Sequence, residues 1–208
     1  MKKIMMFIAV IGFGLLLYGC KSPNEESEPE ETNVETPIQA TDIYLVENGS
    51  TEYQIVYPEH ADDIVKVHAV EELKLFFREA TGIELQSISD KDLVFNDQVK
   101  YLSIGETKLL EQANITVSRS ELGESGLKVI TRHQSVFMFG ATRFASLYSV
   151  YEFLSQQFHF EVYAVDEIYI DRNVENMKLL NFNLTDIPSF DYRLGSYGEF
   201  WFGQTFPR

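Results

Sequence analysis

The residues of this 208-residue chain with the chemistry to catalyse or to bind are few. They are one cysteine, four histidines, scattered carboxylates, and an arginine and a tryptophan near the C-terminus. Cys20 stands where an apolar run over residues 4–18 stops, behind Lys2 and Lys3. Leu17-Tyr18-Gly19-Cys20 reads as a lipobox whose thiol accepts a lipid. The run is shorter than the roughly 20 residues a spanning helix needs and suits a signal peptide. With no second cysteine, neither an intramolecular disulfide nor a zinc site of several thiolates can form. His60, His68, His133 and His159 offer no pair at ligand spacing on one helix face, so no metal is expected. No phosphate-cradling glycine motif and no GxSxG elbow occurs, which leaves cofactors and a serine nucleophile without support.

Glycoside hydrolysis needs two carboxylates about 5 to 9.5 Å apart across the scissile bond. The chain nominates no such pair. Asp62-Asp63 and Glu71-Glu72 share a helix with lysine and arginine and read as a solvated face, and Asp166-Glu167 reads as a turn. No catalytic residue is assigned. Arg193, at the end of Ile187-Pro-Ser-Phe-Asp-Tyr-Arg193, carries a fork of donors suited to vicinal hydroxyls or a carboxylate. Trp201, among Tyr197, Phe200, Phe202 and Phe206, could stack on a sugar face or be buried by a following segment.

Charge divides the chain in the same way. Residues 1–20 carry +2 and residues 21–40, with six glutamates and no aromatic, carry −5, so −12 of the total −15 lies in residues 41–208. The 21–40 stretch cannot bury enough surface to offset ordering and reads as a disordered tether. A domain this acidic repels nucleic acid, so no nucleic-acid partner is expected.

The elements that must position these residues alternate in type. Residues 43–46 and 53–57 read as a hairpin turned at Asn48-Gly49. A helix over 62–80 gathers Val65, Ala69, Val70, Leu73, Phe76, Phe77 and Ala80 on one arc and stops at Gly82. Strands over 84–88 and 100–104, a short helix over 107–112, and a hairpin of 127–131 with 136–139 follow. A helix over 142–158 then places Phe144, Leu147, Tyr148, Tyr151, Leu154 and Phe158 on one face, which is read as its core face. Strands near 160–163 and 167–170 and an extended segment over 177–182 complete the pattern. Helices clustered between hairpins predict an α+β fold, a mixed, largely antiparallel sheet with two long helices packed on one face.

Three stretches carry a resemblance. They are residues 69–82 (AVEELKLFFREATG), Leu102-Ser-Ile-Gly105, and residues 140–166, which open with Gly140-Ala-Thr-Arg143 and run through SLYSVYEFL. In this order the chain resembles, over residues 42–193, the N-terminal accessory domain of the family 67 α-glucuronidases and family 20 β-hexosaminidases. That domain precedes a (β/α)₈ barrel. To the signal peptide at 1–20 and the tether at 21–40 read from composition, the resemblance adds the accessory domain at 41–184 and the start of a truncated barrel or an unpaired tail at 185–208. It also implies that Arg193 holds a sugar hydroxyl, although Leu194 stands where those families often have glycine, and that the catalytic carboxylates lie beyond Arg208. The expected function is that of a non-catalytic accessory domain of a glycoside-hydrolase-like lipoprotein in polysaccharide breakdown, inactive alone. Its substrate-binding candidates are Arg193 and Trp201. Its expected partners are the lipid bilayer through Cys20, a glycan, and a missing or separate barrel. The expected location is the bacterial cell envelope, facing periplasm or exterior. The alternative is a stand-alone glycan- or protein-binding surface lipoprotein.

Overall fold

The computed structural model describes residues 37–164 and 167–188. The described residues belong to one compact unit. Its strands are β1 (Ala40–Val46), β2 (Gln54–Tyr57), β3 (Ser87–Ser89), β4 (Tyr101–Ile104), β5 (Leu127–Arg132), β6 (Ser135–Gly140), β7 (Glu161–Ala164), β8 (Glu167–Tyr169), β9 (Met177–Leu180) and β10 (Asn183–Asp186). Its helices are α1 (Val70–Thr81), preceded by a π-helical stretch at Ile64–Ala69, α2 (Leu109–Gln112), α3 (Arg119–Leu122) and α4 (Arg143–Phe158). The main sheet has the order β10-β5-β6-β4-β2-β3. Pairing is antiparallel from β10 to β6 and parallel from β6 to β3, while β1-β9 and β7-β8 form separate antiparallel pairs. The fold is α+β, with mixed and largely antiparallel pairing and two long helices on one face of the main sheet.

Side-chain alternation explains why that sheet is covered twice. On β2, β4, β5 and β6, Ile55, Leu102, Ile104, Val129, Val136 and Met138 pack with α1 and α4. Val56, Ile130, Phe137 and Phe139 point the other way, into a second cluster with Leu109, Leu110 and Leu122 of the short helices. Successive strand residues face opposite sides, so β6, with every residue buried, must be an interior strand. The helix expected over 62–80 buries the predicted residues and ends on Gly82 at φ 76°, whose N–H donates to the Arg78 carbonyl at 2.8 Å.

Three expectations are corrected. Asn48 (φ 50°) and Gly49 (φ 69°) do make a tight turn, with Glu47 and Ser50 exchanging backbone hydrogen bonds. The strands on either side of it do not pair with each other, however, because β1 joins β9 whereas β2 lies between β3 and β4. Burial decides this. Ile55 and Val56 are both fully covered and require an interior position, while β1 alternates at a half-exposed edge. The extended segment over 177–182 is also split. Phe182 is buried and its N–H donates to the Thr131 hydroxyl at 2.9 Å, turning the chain from β9 into β10.

The third correction concerns the face of α4. Its buried residues are Ala145, Ser146, Ser149, Val150, Phe153, Leu154, Gln157 and Phe158, while Phe144 (47% exposed) and Tyr148 (57%) face outward. The strand-to-helix junction is the cause. A Cβ on Gly140 would lie 2.3 Å from the Ala145 Cβ, so the helix touches the strand there. The Gly140 N–H donates to the Ser146 hydroxyl at 3.2 Å, and Thr142 caps the helix by accepting from the Ala145 N–H at 3.2 Å. These contacts set the rotation of α4 with its small residues inward. At the far end, Gln157 clamps β9, donating to the Lys178 carbonyl and accepting from the Leu180 N–H, each at 3.0 Å.

Gly140→Ala is therefore expected to lower stability by about 2 kcal/mol through overpacking. Phe144→Ser, by contrast, should stay within about 0.5 kcal/mol, as for other surface changes. Urea unfolding of both variants checks the pair.

Candidate functional site

Two places could host chemistry. The first is the carboxyl end of the parallel strands, where ligands commonly bind in open sheets. Here that end is filled by the protein itself. Asp90, almost fully buried, accepts from the Glu59 N–H at 2.8 Å and the Lys108 N–H at 2.7 Å, and its own N–H donates to the Tyr57 carbonyl at 2.9 Å. One carboxylate thus ties together the loops after β2, β3 and β4. Above it, Lys91 and then Lys108 hold the Glu59 carboxyl below its ordinary pKa. Ser103 and Thr107, also buried, share a 2.7 Å hydrogen bond. This end is a structural knot.

The second place is a groove of about 460 Å³ on the outer side of α4. Tyr148, Tyr151, Phe160 and Val162 line it, with Glu152 and Asp186 as its carboxylates and Pro188 at its edge. Its floor is an aromatic column. The Tyr151 and Phe160 rings stack at 5.8 Å and 10°, and Phe160 meets Phe76 of α1 at 4.5 Å. Phe160 reaches this position because α4 ends with His159 in the left-handed conformation (φ 53°), its ring held by Asp171 at 2.8 Å. Beside the column, burial pushes the Glu72 carboxyl above its ordinary pKa, with Tyr151 and His68 acting in the opposite direction. Burial, then Glu72, pushes the Tyr151 phenol up as well.

Of the residues nominated from sequence, Cys20, Arg193 and Trp201 all lie outside the described residues. Asp166 lies outside them too, and Glu167 begins β8. Asp62 accepts from the Val65 N–H at 3.2 Å and sits 3.5 Å from Arg143, and Glu71 pairs with Lys74 at 3.0 Å, as a solvated face would. Glu72 departs from that reading, because α1 leans against α4 and covers it. His133 pairs with Asp97 at 3.1 Å, apart from the other histidines. Among the described residues no cluster of histidine, cysteine and carboxylate could hold a metal, and no helix is long and apolar enough to cross a membrane.

The groove escaped the sequence reading because its aromatics were assigned to the core. The overlooked signal was Ala145, Ser146 and Ser149, small residues at helical spacing that mark the close-packed face.

No family model matches the chain, and no curated protein matches it. Among solved structures the chain is similar to a family GH115 4-O-methyl-α-glucuronidase described as specific for decorated arabinogalactans. The identity is 13% and the TM-score 0.38, over 53% of this chain and 14% of that enzyme.

The raised Glu72 pKa gives a signed expectation. A carboxyl shifted upward on folding contributes its stability at acid pH and loses it as pH rises through the folded value. Glu72→Gln should therefore raise the melting temperature near pH 7.5, and the gain should shrink toward zero near pH 4. Thermal melts of both proteins at the two pH values measure it.

Proposed function

We propose that this chain is the lipid-anchored, non-catalytic N-terminal part of a glycoside-hydrolase-like protein that acts in polysaccharide breakdown at the bacterial cell envelope. Cys20 carries the acyl anchor, residues 21–40 hold the domain off the membrane, and residues 185–208 lead toward a catalytic barrel. In that arrangement Arg193 binds a sugar hydroxyl and Trp201 supplies a stacking surface.

The observation that carries the reading is the position of the three resembling stretches in the fold. Residues 69–82 form α1 and its glycine stop, Leu102–Gly105 form β4 and the turn over the Asp90 knot, and Gly140–Arg143 form the junction that sets α4. They are the joints of a single α+β layer arrangement. Joints tolerate fewer substitutions than loops because backbone approach and capping are fixed there. The stand-alone reading draws on a different observation, the groove with Tyr148, Tyr151, Glu152 and Asp186, which has the mixture of flat rings and acceptors that a neutral oligosaccharide uses.

Mass spectrometry of the chain expressed in a bacterium should find Cys20 as the acylated N-terminal residue, and Cys20→Ser should abolish both the lipid and membrane retention. The purified chain should release no product from aryl glucuronides or N-acetylhexosaminides. Turnover by these 208 residues alone, or an unlipidated Cys20, would count against the proposal. Saturable binding of neutral oligosaccharides, lost in Tyr148→Ala, would favour the stand-alone reading.

A further inference from the structure

The groove beside α4 differs from much of the surface in its unmatched charge. Glu59, Asp62, Glu71, Glu79, Glu106 and Glu121 each have a lysine or arginine at 3.0 to 3.5 Å. Glu152 and Asp186, the carboxylates of the groove, have no such partner among the described residues, and no basic side chain is among those that line it. Glu152 accepts from the neutral Gln156 amide at 3.0 Å, which orients the carboxylate without cancelling its charge. An adjoining hollow shares Ser125 with the groove, but its arginines are already matched, Arg119 by Glu106 and Arg143 by Asp62.

The aromatic walls are held ready for a ligand. The Tyr151 ring is fixed on its face by Phe160, stacked at 5.8 Å, and at its phenol by a hydrogen bond with Glu72 of α1. Tyr148, more than half exposed, offers a second ring to the same space. The volume of about 460 Å³ falls within the range of small-ligand sites. Such rings attract a cation to their faces and also stack on the C–H face of a sugar.

Charge decides which ligand these walls suit. A neutral ligand would strip water from Glu152 and Asp186 and return nothing for it, because covering an unpaired carboxylate is costly. An anionic ligand would be repelled by the same two groups. An ammonium group compensates both carboxylates and gains from the rings. Building on the groove as an oligosaccharide site, we propose that its ligand is a saccharide bearing a free, protonated amine, the sugar face on Tyr148 and the ammonium between Glu152 and Asp186. The fold thus prefers a deacetylated hexosamine unit to its N-acetylated or neutral counterpart.

Calorimetric titration of the full chain tests the preference. A β-linked glucosamine trisaccharide should bind at least tenfold more tightly than the N-acetylglucosamine trisaccharide or a neutral xylose trisaccharide. Glu152→Gln and Asp186→Asn should each weaken it about fivefold, the scale of one exposed ion pair, and Tyr148→Ala should weaken it by a similar factor. Glu84→Gln removes the same charge from an exposed position outside the groove and should change nothing, which separates the site from the general attraction of an acidic surface. Equal affinity for the three trisaccharides, abolished by Tyr148→Ala, would overturn the amine preference while leaving the groove a sugar site. Choline binding as tightly as the glucosamine trisaccharide would overturn the saccharide in favour of the ammonium alone. Binding to none of the three trisaccharides, or equal losses in Glu84→Gln and Glu152→Gln, would overturn the proposal outright.

Discussion

The contact on which the rest of this fold depends is the approach of Gly140 to Ala145. Only a residue without a Cβ lets β6 run this close to the first turn of α4. Once strand and helix touch there, the Ser146 hydroxyl receives the strand's last N–H, Thr142 caps the helix, and the rotation of α4 is no longer free. Ala145, Ser146 and Ser149 face the sheet, Phe153 and Phe158 enter the core beside Phe77 and Phe182, and the bulky Phe144 and Tyr148 are turned outward. The exposed aromatic groove is a consequence of that one backbone approach.

The two faces of the main sheet differ in character for related reasons. One carries α1 and α4 over the larger cluster, joined by the Phe76–Phe160–Tyr151 column. The other is closed by two four-residue helices and a loop, and the buried Asp90 carboxylate ties the start of α2 at Lys108 to the loop after β2 at Glu59. The end of the sheet where an α/β enzyme would keep its ligand is thus occupied by structural hydrogen bonds. The groove with apolar walls and carboxylates lies on the opposite helical layer, next to the hairpin and the point where the described chain ends.

Much of the fold was legible in the sequence because its signals were local. The arc from Val65 to Ala80, the glycine stop at Gly82 and the 127–139 hairpin each follow from periodicity or turn chemistry, and each forms. The partners of β1 and β2 were not legible, because a tight turn constrains only its own four residues and burial then assigns the strands to different sheets. The π-helical opening at Ile64–Ala69 and the short α3 carry no periodic signal of their own. The phase of α4 was misread because hydrophobicity favours Phe144 and Tyr148 as core residues, whereas steric approach at Gly140 admits only small ones. The groove was missed with it, and so was the half-covered state of Glu72, which depends on α1 and α4 leaning together.

The rotation of α4 can be read from three phenylalanines on the one helix, whose intrinsic reactivity is the same. Hydroxyl-radical footprinting with mass spectrometry should oxidise Phe144 readily and leave Phe153 and Phe158, both fully buried, protected until the protein unfolds. Protection of Phe144 together with oxidation of Phe153 would mean that the helix lies with its aromatic face inward, which would contradict the account of the Gly140 junction and of the groove it creates.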